Sequence, residues 1–485
     1  ILPFGPWVDA CRSGQISTDE EILGALHPTR RAELSRLLPE AGMAGPPPTS
    51  DSALPLFESV AQLIEQVAAR QPLVLVLEDL HWADEMSLRL LAFVSRRIST
   101  WAALLVTTAR EEELADASRA RRTMRDLSRM SQALPVVLAP LSRPDTALLV
   151  RALTRVGSDA PMLAQVEEQV WAMSEGNPFV VVEAMRALDQ DSLWDDSREK
   201  PGTPILPARV LDLIASRLDR LSARSQQLAA VAAVIGRRFD FPLLQSASGA
   251  EERDAAEAVE EMVRHQVLQA VGNQLDFAHD RVRDVVYARL LPPRRRLLHR
   301  AVAEALEAAG AGTVDVMETH LRDRLGEQIE QLAHHALRGE VWDKASRYCW
   351  QAGAKAAGRV ANQEAVAFFD QALTALGHLP ETRETLERAI DLRFDLRTAL
   401  FPLGEFERIL GCLREAEGQA RILDDQRRLG QMSVYMCHNL WMTGHPTAAL
   451  EFGQRAQSIA ESLGDVPLQV TGNLYLGSAY LWTGD

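Results

Sequence analysis

The sequence predicts a mainly α protein with an α/β part near its start and an α-solenoid of helical hairpins at its end. Three observations carry this. Aromatic residues make up only 6% of the 485 residues while Ala, Leu, Arg and Glu recur throughout, a bias toward helix formers and away from residues that fill strands. Apolar runs without polar alternation, at Leu73 to Leu77 and in "WAALLVTTAR" and "LPVVLAPLS", have the pattern of parallel strands covered by helices on both faces. Glycines at 404, 444 and 484 recur at an equal spacing of forty residues, as a helix-glycine-helix unit would if it had to stack on its own copies to bury an apolar face.

Residues 1–70 read as an irregular opening followed by helices, with a Pro-rich loop at "GPPPTSDSALPLF" and an amphipathic run from Leu56 to Val67. The strand at Leu73–Leu77 ends in the acids Glu78 and Asp79. Asp84 is placed to cap the next helix, whose apolar residues Met86, Leu90, Leu91 and Val94 recur at helical spacing. The second apolar run ends at Arg110 and the third at Ser142, where S-R-P-D opens a helix. Strand, helix, strand, helix, strand is a doubly wound pattern, and ligands bind at the carboxyl ends of such strands.

Residues 143–190 are helical. The polar, acidic, Pro-bearing stretch 191–206 reads as an interdomain linker. From 207 to 305 short helices alternate with a hairpin signal, "VLQAVGNQLDFAH", in which Gly-Asn supplies the turn; that is a winged-helix pattern. A connector at 306–326 leads to helical repeats from 327 to 485, with small residues such as Ala336, Ala345 and Ala354 expected between larger apolar ones.

The formal charge of −15, from 52 basic and 67 acidic residues, opposes contact with nucleic acid or anionic membrane. Direct DNA binding by this chain is therefore disfavoured. The four cysteines are scattered with no C-x-x-C pair, so neither a disulfide framework nor a zinc knuckle is expected and a reducing cytoplasm fits. No apolar stretch approaches the length of a membrane span, and "ILPFGPWVDACRSG" has no basic n-region. Ile1 reads as lying within a domain, so the chain is expected to be a fragment.

An acid pair can simply end a strand and face water, and an arginine after a strand can be solvated; motif order points further. "LVLVLEDLHWADEMSLRLL" is similar to the Walker B segment of the AAA ATPase module in STAND signal-transduction ATPases, a class that includes large LuxR-type transcriptional regulators and multidomain adenylate or guanylate cyclases. The resemblance runs from "LPFGPWVDA" through the repeats. It implies a partial P-loop NTPase sheet at 1–142, a helical lid at 143–190, a winged helix at 207–305 and tetratricopeptide-like repeats. It further implies that Glu78 holds Mg²⁺ through water, that Asp79 polarises the attacking water, and that Arg110 reads the γ-phosphate. Gly176, Asn177 and Pro178 match the lid's G-x-P nucleotide-binding motif, whose proline would lie against the adenine, and His279 of the His279–Asp280 pair would touch the β-phosphate of ADP. No G-x-x-x-x-G-K-[ST] loop occurs, so the amide cradle and its Lys are expected upstream of Ile1, and the chain by itself is expected to bind ATP only in about the millimolar range or worse.

Other candidate chemistry is poor. His334–His335 lacks a third ligand at a plausible spacing, the basic run Arg294 to Arg300 fits the exposed face of a helix, and no G-x-S-x-G elbow is present. The expectation is an ATP-dependent signalling switch using ATP/ADP and Mg²⁺, with the repeats binding a protein partner or small inducer and possible self-association. Its output would be an effector domain outside the chain. A non-hydrolysing scaffold with a degenerate nucleotide module is the competing reading, to which Glu78 in place of the usual Asp lends support.

Overall fold

The computed structural model describes residues 4–41, 52–114, 117–154, 160–190, 210–311 and 318–483. The chain forms two compact units, one made of residues 1–134 and 314–485, the other of residues 135–313. Most of the Pro-rich loop, the linker at 191–206 and Gly484 lie outside the described residues. The fold is mainly α with a small parallel sheet and a helical repeat region.

The first unit opens with α1 (Gly5–Ser13), whose Trp7 is 1% exposed. Helix α2 (Leu54–Arg70) buries Leu56, Val60, Leu63, Ile64 and Val67 along one stripe, each worth about 1.5–3 kcal/mol relative to exposure. It leads into β1 (Leu73–Leu77). Asp84 caps α3 (Glu85–Ser95) by accepting from the Ser87 amide at 2.8 Å, and Met86, Leu90, Leu91 and Val94 face inward as their spacing predicts. Asp84 also accepts from the Phe4 amide at 2.9 Å, and the Trp7 indole donates to the Ser87 carbonyl at 3.1 Å. These bonds tie the start of the chain to the segment that carries the acids.

Strand β2 (Ala103–Thr107) pairs with β1 in parallel, in register from Leu73 opposite Ala103 to Leu77 opposite Thr107. The strands are not covered on both faces, as the unbroken apolar runs suggested. Leu75 and Leu77 are buried, but Val74, Val76 and Leu104 are 61%, 47% and 58% exposed. With a side-chain period of two, one face packs on helices and the other is open among the described residues. The third expected strand does not form either. Beyond α4 (Ser118–Ser128), residues 133–142 are irregular, with Val136, Val137 and Leu138 exposed. Pro135 and Pro140 have no N–H to give a ladder, and the Leu141 amide is used by the carbonyl of Gly176 at 2.8 Å.

In the second unit Ser142 caps α5 (Arg143–Leu153) through the Asp145 amide, as the S-R-P-D signature predicts. With α6 (Ala160–Ser174) and α7 (Pro178–Gln190) it encloses a core of Val150, Val166, Val170, Val181, Met185 and Leu188. Helix α8 (Val210–Asp219) joins α7 through a buried pair, Arg217 to Glu183 at 2.8 Å. Then follow α9 (Ala223–Ile235), β3 (Arg238–Asp240), α10 (Phe241–Ser248), α11 (Glu252–Arg264), β4 (Leu268–Val271) and β5 (Gln274–Phe277). The three strands form an antiparallel sheet in the order β3-β5-β4, and β4 turns into β5 at Gly272, where φ is 61°. Helices α12 (Asp280–Ala288) and α13 (Pro292–Ala311) complete the unit.

The repeats return to the first unit as α14 (Glu318–Arg338), α15 (Trp342–Gly358), α16 (Asn362–Leu376), α17 (Arg383–Leu400), α18 (Phe406–Ile422), α19 (Gln426–Met442), α20 (Pro446–Leu463) and α21 (Val466–Thr483). Residue 327, the expected start of the repeats, lies inside α14. Turns between these helices pass through left-handed residues at 404, 424, 444 and 464, twenty apart, three of them glycine; the forty-residue glycine spacing thus spans two helices. Ala336 and Ala345 are buried, but Ala354 is exposed while Ala352 and Gly353 point inward, since two positions along a helix rotate a side chain by about 200°. Within this unit the turn between α15 and α16 meets the opening of the chain. Arg359 Nε donates to the Arg36 carbonyl and Arg36 Nη2 to that of Gly358, both at 2.8 Å, and Glu364 accepts from the Glu85 amide at 3.3 Å.

Candidate functional site

The candidate residues fall into two groups, one in each unit. At the carboxyl ends of β1 and β2, Glu78 is exposed and Asp79 half-buried. Asp79 sits in the left-handed region, at φ 54° and ψ 45°. An aspartate tolerates that conformation better than most residues, and such strain persists only where neighbours hold it. Its amide donates to Thr108 Oγ1 at 3.1 Å, which locks the end of β1 to the residue after β2.

Arg110 approaches Asp79 at 4.0 Å and donates to Glu113 at 3.1 Å. Between them lies His81, whose side chain is fully buried. Its Nδ1 accepts from the Arg110 amide at 3.3 Å, and its Nε2 lies 3.2 Å from Glu113 and 3.8 Å from Asp79. The Arg110 guanidinium also lies over the Trp82 ring, 5.8 Å from its centroid. The structure brings Asp79 and Arg110 together at adjoining strand ends and adds Thr108, His81 and Glu113, which sequence reasoning missed. Two of these had a visible signal: Thr108 stands within "VTTAR" and His81 within "EDLHWAD". Glu113 had only its three-residue distance from Arg110.

In the second unit Gly176 has φ +82°, and a Cβ there would lie 2.2 Å from the Leu141 carbonyl oxygen, so no other residue fits that turn. Asn177 Oδ1 accepts from the Phe179 amide at 3.0 Å, which opens α7. Pro178, at the first helical position, is exposed. His279 is half-buried and caps α12, its Nδ1 accepting from the Arg281 amide at 3.1 Å. That bond leaves Nε2 to carry the proton of the neutral ring. The imidazole stacks on Phe179 with centroids 3.7 Å apart, which joins the Gly176–Pro178 turn to the His279–Asp280 pair. Beside it Arg237 lies 3.4 Å from Asp280 and 3.8 Å from the buried Asp276, whose carboxyl is pushed up by burial against the pull of Arg237 and Arg238. Phe179 and Asp276 are further residues that sequence reasoning missed.

Two carboxylates and a guanidinium at adjoining strand ends fit the metal and γ-phosphate side of a nucleotide. Residues 1–107 match the family model described as an AAA ATPase domain. The match takes in Glu78, Asp79 and His81 but stops short of Arg110. An uncharacterized protein of Rhizobium meliloti (strain 1021) is 26% identical over 354 residues, covering 71% of this chain and 32% of that protein; the chain thus spans about a third of the relative's length. Among solved structures, a Signal Transduction ATPase with Numerous Domains (STAND) protein with a tetratricopeptide repeat sensor from Pyrococcus horikoshii aligns over 100% of this chain and 68% of its own, at 12% identity and a TM-score of 0.43. No helix among the described residues is long and apolar enough to cross a membrane.

Proposed function

We propose that the chain is the switching part of an ATP-dependent signalling regulator of the STAND type, with residues 1–142 forming part of the nucleotide domain, 143–190 the lid, 207–305 a winged helix and the repeats a sensor. The observation that carries this reading is the strand-end cluster of Asp79, Arg110, His81 and Glu113 within and just after a segment that matches an AAA ATPase domain. Glu78 would hold Mg²⁺ through water, and the metal would supply charge neutralisation at the phosphates. Asp79 would orient the attacking water and Arg110 would donate to the γ-phosphate once released from Glu113. In the other unit, Gly176 and Pro178 would line the adenine and the Nε2–H of His279 would donate to the β-phosphate of ADP. The element order α9-β3-α10-α11-β4-β5, with the strands paired antiparallel as β3-β5-β4, supports the winged-helix assignment.

A non-hydrolysing scaffold is the competing reading, and one observation favours it: Arg110 is paired with Glu113 at 3.1 Å. Steady-state hydrolysis by the full-length protein separates the two. Turnover that vanishes in Asp79→Asn while ATP still binds supports the switch, and nucleotide binding without turnover in the parent protein supports the scaffold.

A further inference from the structure

Four arginines stand on α17, and three of them have an acid. Arg383 pairs with Glu387 at 2.8 Å, Arg388 with Asp343 at 3.1 Å and Arg393 with Glu415 at 2.7 Å. Arg397 is the most buried of the four, at 7% exposure, and among the described residues no carboxylate pairs with it. Its neighbours are aromatic. The guanidinium carbon lies 4.5 Å from the Tyr435 centroid and 5.2 Å from that of Phe401, and Nη2 donates to His438 Nδ1 at 2.5 Å. His438 stacks between Phe401 at 4.7 Å and Tyr475 at 4.1 Å and leans on Trp441. Burial, with help from Arg397, pushes the imidazole down to about 4, so at neutral pH it accepts the hydrogen bond without cancelling the charge.

A buried cation without a counter-charge is costly, and cation–π contact returns only about 0.5–2 kcal/mol of that cost. Two N–H groups in the cluster, Nε of Arg397 and Nε1 of Trp441, are buried and have no acceptor among the described residues. Both unmet groups are donors. The missing partner is therefore an acceptor bearing negative charge, and the half-exposed rings of Phe401, Tyr435, Trp441 and Tyr475 offer flat apolar surface around it. Apart from Phe401, which directly follows α17, the residues come from α17, α19 and α21, alternate helices of the solenoid, and such helices share the face that solenoids use for binding.

We propose that Arg397, Tyr435, His438, Trp441 and Tyr475 form a binding site for a small organic acid, with its carboxylate on Arg397 and Trp441 and its flat body against the rings. The site rests on the reading of the repeats as the sensing half but not on any nucleotide contact, so it can fail while ATP binding stands, and the reverse.

The test is a titration of the whole protein with benzoate, the neutral isostere benzamide and inorganic phosphate, read by thermal shift and by tryptophan fluorescence with Trp441→Phe to assign the signal. Benzoate is expected to raise the melting temperature and change the Trp441 emission, with benzamide at least about tenfold weaker, as loss of a hydrogen bond to a charged group implies, and phosphate also at least about tenfold weaker, because it has no flat apolar body to lie on the rings. Arg397→Met should abolish the benzoate response and, by removing an uncompensated buried charge, leave the unliganded protein as stable or more stable. Parity of benzamide or phosphate with benzoate, a silent parent protein, or undiminished benzoate binding in Arg397→Met would each overturn the proposal. So would an Arg397→Met chain that melts well below the parent, which would make the arginine a packing residue.

Discussion

Asp79 and His279 are the residues on which the proposed chemistry turns, and each is held by a contact that leaves its reactive end defined. Asp79 is fixed through its amide on Thr108 with its carboxylate beside Arg110. Replacing it with Asn keeps size and hydrogen bonding but removes the charge that orients water, so turnover in the full-length protein should fall by about a hundredfold or more with little change in ATP affinity; rapid-quench and equilibrium binding measurements check the two halves. His279 is capped at Nδ1, so Nε2 is the donor. His279→Ala should weaken ADP binding by about 10–100-fold, the worth of one hydrogen bond to a charged phosphate, and calorimetry giving unchanged affinity would reduce His279 to a helix cap stacked on Phe179. Gly176 needs no functional premise. Gly176→Ala forces a side chain into φ +82° and onto a backbone oxygen at 2.2 Å, which should destabilise the second unit by at least about 2 kcal/mol in denaturant titrations.

Between elements, the start of α3 and the start of α16 meet through acids. Glu364 accepts from the Glu85 amide, Arg119 lies 2.8 Å from Glu85, and Asp84 is nearby. Burial raises the carboxyls of both Glu364 and Asp84, and the charges of Asp84 and Glu85 raise Glu364 further. A folded-state carboxyl raised above its unfolded value contributes stability that is fully present below the unfolded pKa and is lost as pH rises through the folded one. This contact should therefore hold best in acid and loosen toward neutrality. Glu364→Gln keeps the acceptor and removes the charge, so it should protect the first turn of α3 from hydrogen exchange at pH 7.5, by about 1 kcal/mol, and change nothing at pH 4. Equal exchange in both proteins at pH 7.5 would show that the carboxylate is not strained there.

At the level of the whole molecule, the polar, acidic, Pro-bearing composition of 191–206 predicts an interdomain linker, so brief trypsin treatment under native conditions should cut first at Arg198, and an intact chain after long digestion would refute that expectation. What the sequence determined by itself was local: the helix caps at Asp84 and Ser142, the Gly-Asn turn, the inward residues of α3 and the glycine period of the repeats, because each follows from a few neighbouring residues. Motif order placed Asp79 and Arg110 at strand ends; that the two side chains approach each other was not legible in the sequence. Only the tertiary structure decided that residues 133–142 do not make a strand and that β1 and β2 are covered on one face, since a strand exists only where another backbone is there to bond it. The same holds for the buried His81, for Phe179 against His279 and for Arg397 with no acid beside it among the described residues. Each depends on which distant side chains arrive beside it, and a one-dimensional pattern of apolar and charged residues does not contain that arrival.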